Sequence, residues 1–449
     1  MLIKNGKLIT WDGQNQILEG QAIAIKDGKI TDIGPQDKLI NEFNTDDVVD
    51  ANGQYVMPGN ICAHTHFYGA FSRGMGIPGN PPKDFPEILD KLWWPLDRSL
   101  SLEDVRLSAL ICMVDAIRHG TTTLFDHHAS AGAIEGSLEE IAQAVEESGL
   151  RVSLCYEVSD RDGEKKSLAG IQENSRFINY VKKEQPLGGR LSAMFGMHAS
   201  LTLSEETLEK CRNSVPDDYG FHVHAAEHPV DEYDSVARYG LRVIDRFNKH
   251  GILGPRSVIG HATHVDAREI AILSETGTWV AHQPRSNMNN GVGVSAVEDM
   301  LRSGIKVVMG NDGFSNAMWD EWRTAYLVQK VWHRDPQRMN GMDVVEIAVK
   351  NNSSLASSMF NNSVIGKLVV GAKADIIFVD YFPYTPMNTG NLPWHILFGF
   401  RDSMVTTTIV DGIVLMRNRQ LLGLDEDEIN RKAQRFAPLA WERYQKQFV

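Results

Sequence analysis

Tyr55-Val56-Met57-Pro58-Gly59-Asn60-Ile61-Cys62-Ala63-His64-Thr65-His66 is an apolar run that ends in two histidines one residue apart. Alternate residues of a strand point the same way, so both imidazoles face one side. Two imidazoles aimed into an interior are half of a Zn²⁺ or Fe²⁺ site, although an isolated H-x-H also occurs as plain core or surface histidine. Working outward, seven more apolar runs follow: Thr121–Asp126, Arg151–Glu157, Leu191–His198, Gly220–His224, Ser257–His261, Thr278–His282 and Ile305–Asp312. Helix-like stretches such as Leu102–Arg118, Ser137–Ser148 and Leu203–Ser214 separate them. Strands alternating with helices predict the α/β class, and eight such units predict a (β/α)8 TIM-like barrel. Every run, counting Gln54–His66 as the first, ends at or beside a His, Asp or Glu. Catalytic groups of such barrels sit at the C-terminal ends of the strands, so the predicted mouth is lined with polar groups. The Pro/Gly cluster Gly74–Pro82 reads as a loop over that mouth.

Both ends of the chain have a different texture. Leu2–Lys4, Lys7–Thr10, Gln21–Lys26 and Lys29–Ile33 read as short strands, with Asp27-Gly28 as a hairpin turn. Ala374–Asp380 is another strand, and Val405–Val410, Asp411-Gly412 and Ile413–Arg417 form a second hairpin pattern. Together they predict a small composite β-sandwich built from both chain ends. The expected division is residues 1–56 for its first part, 57–365 for the barrel, and 366–449 for its second part plus a C-terminal helix.

Composition narrows the function classes. The 449 residues carry 45 Lys and Arg against 58 Asp and Glu, a net charge of −13. That acid excess argues against a nucleic-acid partner. No apolar run approaches the ~20 residues needed to span a bilayer, and the N-terminus turns polar too soon for a secretory signal, so no membrane role and a cytoplasmic location are expected. The four cysteines, Cys62, Cys112, Cys155 and Cys211, contain no C-x-x-C pair. They read as small buried hydrophobes rather than a disulfide or zinc-ribbon framework.

The chemistry concentrates at the strand ends. In Phe221-His222-Val223-His224-Ala225-Ala226-Glu227, His224 closes the fifth run and Glu227 lies in the loop beyond. A ligand followed three residues later by a carboxylate lets that carboxylate work on an activated water without occupying the metal. His222 reads as a support or core residue. His261 ends the sixth run and Asp312 the eighth. An aspartate after a buried strand needs a partner, a metal or a helix N-terminus to cap.

His64/His66, His224 with Glu227, His261 and Asp312-Gly313, recurring in order, resemble the amidohydrolase superfamily. The resemblance is to its mononuclear-metal aminohydrolases, such as triazine hydrolases and guanine deaminases. Gly366–Asp375 is similar to that family's return to its β-domain. Trp93-Trp94, Asp126-His127-His128-Ala129-Ser130 and Arg285-Ser286-Asn287-Met288-Asn289-Asn290 resemble the SsnA group of aminohydrolases. The resemblance implies one divalent metal, Zn²⁺ first with Fe²⁺ or Mn²⁺ as alternatives, held by His64, His66, His224 and Asp312. It further implies His261 beside the metal stabilising the oxyanion, Glu227 shuttling protons to ring nitrogen and leaving group, and Asp312 taking the proton of the attacking water. Dividing proton transfers between two carboxylates is also sound chemistry in its own right.

The implied reaction is hydrolytic deamination of a heteroaromatic amine, a purine, pterin, pyrimidine or triazine, by attack of metal-activated hydroxide on the amino-bearing ring carbon. Loss of halide or alkylamine from such a ring is the alternative, and a catalytically silent metal-stabilised barrel a further one. A binuclear amidase would need a lysine on the fourth run, and Leu191–His198 has none. The superfamily's habits also suggest a homodimer. Candidate substrate contacts are His198, Arg285, His128 and Trp93. Relatives often carry His-Ala-Pro after the fourth strand, where this chain has His198-Ala199-Ser200, and Arg285 is a bulky departure after His282. Arg285 reads either as a substrate-pairing group or as the partner of Asp126 or Glu157. The Trp93-Trp94 pair reads as helix packing or an aromatic lid. Gly74–Gly79 matches G-x-G-x-x-G, but Pro78 and Asn80-Pro81-Pro82 prevent the helix a dinucleotide site requires.

Overall fold

Short, fully buried strands need cover on both faces, and here they find it by curling into a ring. The computed structural model describes residues 1–43 and 45–448. Its barrel strands are Asn60–Thr65, Thr121–His128, Arg151–Tyr156, Leu191–Ala193 continuing as Phe195–Ala199, Phe221–Ala225, Val258–His261, Trp279–His282 and Val307–Met309, with helices between them. Each pairs in parallel with the next. The fourth strand changes partner at Met194: Leu191–Ala193 pairs backward with the third, and Phe195–Ala199 pairs forward with the fifth. At the seam between first and last strands, the Asn311 and Asp312 amides donate to the His64 carbonyl at 2.9 and 3.1 Å. The approach there is close enough that a Cβ on Gly310 would lie 2.6 Å from the same carbonyl oxygen.

The run expected as one strand over Gln54–His66 is two. Tyr55–Pro58 pairs with Lys7–Ile9 and with Ile376–Val379, whereas Asn60–Thr65 enters the barrel. The chain crosses from one sheet to the other at Gly59, where a Cβ would lie 2.2 Å from the Thr122 side chain. Apolar character continues through that switch, so hydrophobicity alone does not mark it.

Strands from both chain ends share a seven-stranded sheet, and a four-stranded sheet of Leu2–Lys4, Gln21–Lys26, Lys29–Pro35 and Val48–Asp50 packs on it. Ile3, Ile23, Ile25, Val56, Ile376, Phe378 and Ile409 fill the space between them. This sandwich meets the base of the barrel through a buried ion pair, with Arg151 Nε donating to Asp375 Oδ2 at 2.8 Å.

Helix Leu102–His119 starts at a Ser101/Asp104 capping box and ends at Gly120 in the left-handed region (φ 73°). The final helix, Glu426–Gln445, lies against that helix and the segment at the mouth rather than on the sandwich. Trp441 Nε1 donates to the Phe71 carbonyl at 2.8 Å, and Arg443 Nε to Ser99 at 2.6 Å. Among the described residues, no helix is long and apolar enough to cross a membrane.

Candidate active site

Four side chains converge at the C-terminal end of the barrel. His64 and His66 come from the first strand and its end, His224 from the fifth strand, and Asp312 follows the eighth. Asp312 Oδ1 lies 3.0 Å from His64 Nε2 and 2.9 Å from His66 Nε2, and His224 Nε2 is 3.2 Å from His66 Nε2. The other ring nitrogen of each histidine is occupied. His66 Nδ1 bonds the His127 carbonyl at 2.6 Å, His224 Nδ1 the His198 carbonyl at 2.9 Å, and His64 Nδ1 meets His222 Nε2 at 2.8 Å. The first two bonds put the proton on Nδ1 and leave Nε2 with a bare lone pair in the neutral ring. Bare lone pairs facing each other at 3.2 Å, with a carboxylate oxygen beside them, repel unless a cation lies between. Ligands about 2.1 Å from a tetrahedral ion lie roughly 3.4 Å from one another, close to these separations. The residues present therefore fit a divalent metal, with the outer partners orienting each ring.

Two further groups border this cluster. His261 Nε2 lies 3.4 Å from Glu227 Oε2 and 3.7 Å from Asp312 Oδ1, and His261 is fully buried. Burial pushes the Glu227 carboxyl up to about 7, an effect that His261 opposes and the Asp312 charge reinforces. The backbone is strained at these positions: His261 (φ 68°) and Asp312 (φ 57°) both occupy the left-handed region. Each turns sharply off its strand end, which aims the side chain back over the mouth.

A cavity of about 550 Å³ opens from this cluster. His66, His224, Glu227 and Asp312 line it, together with Glu157, His198, Tyr68, Trp93 and Trp94. The profile of the Amidohydrolase family matches residues 55–415, which take in the barrel and most of the returning sheet. The chain belongs to that family. It is 32% identical over 438 residues to the 5′-deoxyadenosine deaminase of Methanosarcina acetivorans, covering 96% of both chains. It is 30% identical over 439 residues to the 5-methylthioadenosine/S-adenosylhomocysteine deaminase of Acetivibrio thermocellus, again covering 96% of both. Among solved structures it resembles a zinc-bound adenosine deaminase from Xanthomonas campestris, with a TM-score of 0.84 at 22% identity, covering 99% of this chain and 98% of that one.

The structure brings His64, His66, His224, Glu227, His261 and Asp312 of this amidohydrolase together, and sets His198 and Trp93 on the cavity wall. Trp94 also lines the wall, 6.2 Å from the His198 ring and edge-on to it. Two expected substrate contacts lie elsewhere. His128 is turned away from the cavity, with Nε2 2.9 Å from Ser130 Oγ. Arg285 points neither into the cavity nor at Asp126 or Glu157. Its Nε donates to Glu321 Oε1 at 2.6 Å, its Nη2 to the Ser315 carbonyl at 2.7 Å, and its guanidinium lies over the Phe314 ring. It therefore holds the loop after Asp312, and its planar fork is already matched.

Sequence reading missed the residues that steady the site. Ser286 Oγ donates to Asp312 Oδ2 at 2.5 Å, and Asn287 Oδ1 lies 2.9 Å from His261 Nδ1. Asn287 Nδ2 faces the hydroxyls of Thr263 and Ser295 at 3.3 and 3.2 Å, so its oxygen accepts from His261. Both sit on the short helix Pro284–Asn289. The polar run Ser286-Asn287-Met288-Asn289-Asn290 was visible in the sequence, but its partners come from other strands. His222 supports His64 directly, and His127 stacks on His222 with ring centroids 4.6 Å apart.

Proposed function

We propose that this protein is a metal-dependent aminohydrolase that replaces a ring amino group of a heteroaromatic substrate with oxygen and releases ammonia. The observation that carries this is the convergence of three imidazole Nε2 atoms and Asp312 Oδ1, with Glu227 and His261 beside them at the cavity. The names of the relatives favour an adenine-type ring as the first substrate to try, with other purines, pterins, pyrimidines and triazines behind it. We take the ion to be a single Zn²⁺ held by His64, His66, His224 and Asp312, and the working compartment to be the cytoplasm.

When bound, the metal supplies Lewis acidity that makes a water acidic near neutral pH. The protein's own groups then divide the proton work. Asp312, steadied at Oδ2 by the Ser286 hydroxyl, is the carboxylate placed to receive the proton of the attacking water. His261 donates Nδ1–H to Asn287, which fixes its ring and aims Nε2 between Glu227 and Asp312, where negative charge builds up on oxygen. A carboxyl raised to about 7 is poised both to hold and to give up a proton near neutral pH. Glu227 can thus protonate the ring nitrogen next to the carbon under attack, and then carry a proton to the departing amine. Trp93, Trp94 and Tyr68 form an aromatic wall suited to a flat ring.

Ammonia release by zinc-loaded protein, measured over 5′-deoxyadenosine, adenosine, guanine, a pterin, cytosine and melamine, tests this. The expected result is turnover on at least one ring; zinc-replete protein that releases ammonia from none of them contradicts it.

A further inference from the structure

A chain of side-chain hydrogen bonds runs from the rim of the cavity to Asp312, and its donors all point inward. The buried Ser286 Oγ lies 2.5 Å from Asp312 Oδ2. Burial opposes ionisation of Asp312, but His261, His64 and His66 hold its carboxyl well below the usual range, so it only accepts. The Ser286 hydroxyl therefore places its one proton there. Asn290 Nδ2 lies 3.2 Å from the same Oγ. With that proton committed, Ser286 Oγ can only accept, so the group facing it is the Asn290 NH2 and not the Asn290 carbonyl. Asn290 Oδ1 in turn accepts from Asn289 Nδ2 at 3.1 Å. A side-chain amide has two N–H donors. Glu227 shares the cavity wall with Asn290, and the Asn290 amide acts on its carboxyl as a donor, against the upward push of burial.

We propose that Asn290 is a positioning residue that ties together the two carboxylates of the site, with one amide proton on Ser286, which holds Asp312, and the other on Glu227. The proposal rests on the aminohydrolase reading above and adds to its proton path a residue outside the metal ligands. Hydrogen bonds in series polarise one another, so the Asn290 donor strengthens the hold of Ser286 on Asp312. That fixes which edge of the carboxylate turns toward His64 and His66, whose Nε2 atoms lie 3.0 and 2.9 Å from Oδ1. At Glu227 the donor is met most strongly once the carboxyl has given its proton to the substrate. Such a contact lowers the barrier and leaves ground-state binding of the ring little changed. Asn290 caps the C-terminal end of Pro284–Asn289 and is partly exposed, so removing its amide opens no void in the core.

The test is Asn290→Leu, which keeps the shape of the side chain and removes both donors. Zinc Kd, read by competition with a chelator, should rise about threefold or more, and should rise no further when Ser286→Ala is already present. At saturating zinc, kcat on the best ring substrate should fall about tenfold or more, with KM within about threefold of wild type. In the Glu227→Gln background the same substitution should cost single-turnover ammonia release about threefold less or better, because a weaker amide acceptor has replaced the carboxylate. Should Asn290→Leu fail to fold, Asn290→Ala, which removes the amide without adding an apolar branch, must show the same pattern. Zinc affinity and kcat both within about twofold of wild type overturn the proposal, as does a loss that stays undiminished in either background. A wild-type chain that releases no ammonia, with the zinc effect of Asn290→Leu intact, supports the tie to Asp312 and removes the aminohydrolase reading.

Discussion

The third barrel strand begins and ends with a buried charge, and the two ends are handled in opposite ways. At its start Arg151 is fully buried, and its donors go to Asp375 at 2.8 and 3.1 Å and to the Gly189 carbonyl at 3.3 Å. Asp375 Oδ1 also accepts the Asp411 amide at 2.8 Å. Just past the other end, Glu157 Oε1 faces only imidazole nitrogens, His127 Nδ1 at 3.2 Å and His66 Nδ1 at 3.3 Å, and across the mouth His261 Nε2 has no hydrogen-bond partner. Burial is the same at both ends of the strand; matching is not. The base of the barrel uses charge to fix the sandwich in place, whereas the mouth sets imidazole and carboxylate lone pairs facing one another, the pattern that a divalent metal would match. A buried pair lost from one side leaves an uncompensated charge, while an open acceptor costs stability throughout and is retained for what it binds.

The largest effect that can break this contrast lies at the mouth. Glu227→Gln should keep zinc and lower kcat by about 10²–10⁴-fold, because a near-isosteric amide cannot accept and return a proton at neutral pH. Metal analysis and single-turnover ammonia release check it, and near-wild-type turnover in metal-replete variant would remove Glu227 from the proton path. At the base, Asp375→Asn should instead cost stability, about 3–5 kcal/mol in urea unfolding, with kcat of the remaining folded protein little changed. A stable variant with damaged turnover would reverse the roles assigned to the two ends.

Arg285 sits at the mouth in sequence but behaves like a residue of the base. Because Glu321 and Ser315 already match its fork, Arg285→Lys should lower the melting temperature, by an amount equivalent to about 1–3 kcal/mol. The ranking of ring substrates by kcat/KM should stay as it was; a changed ranking would return Arg285 to substrate recognition. The smallest effect is one of pH. Burial raises Glu227 from 4.5 to about 7, so it holds its proton below that value and loses it above. A role as proton donor to the ring then requires kcat/KM to fall as pH rises through about 7, up to tenfold per unit. The residual activity of Glu227→Gln should lack that descending limb.

Much of the architecture was legible because the eight apolar runs and their polar ends are local features. His64-Thr65-His66 carries its own geometry, since alternation on a strand puts both rings on one side. Glu227 and Asp312 were readable for a similar reason, as carboxylates beside strand ends with no cheap structural use. The switch at Gly59 was not readable, because Tyr55–Pro58 and Asn60–Thr65 are equally apolar and only the choice of partner strand separates them. Arg285 was misplaced because its partner Glu321 lies 36 residues later, on helix Met318–His333. Ser286 and Asn287 stand out in the sequence only as part of a polar run, since what they hold, Asp312 and His261, comes from other strands.

Ammonia release from the best ring substrate, followed as zinc is added back to metal-stripped protein, tests the metal centre most directly. One metal held by His64, His66, His224 and Asp312 predicts activity that rises in proportion to added zinc and levels off at one equivalent per chain. Activity that keeps rising to two equivalents, or a fully zinc-loaded chain that releases no ammonia, would contradict it.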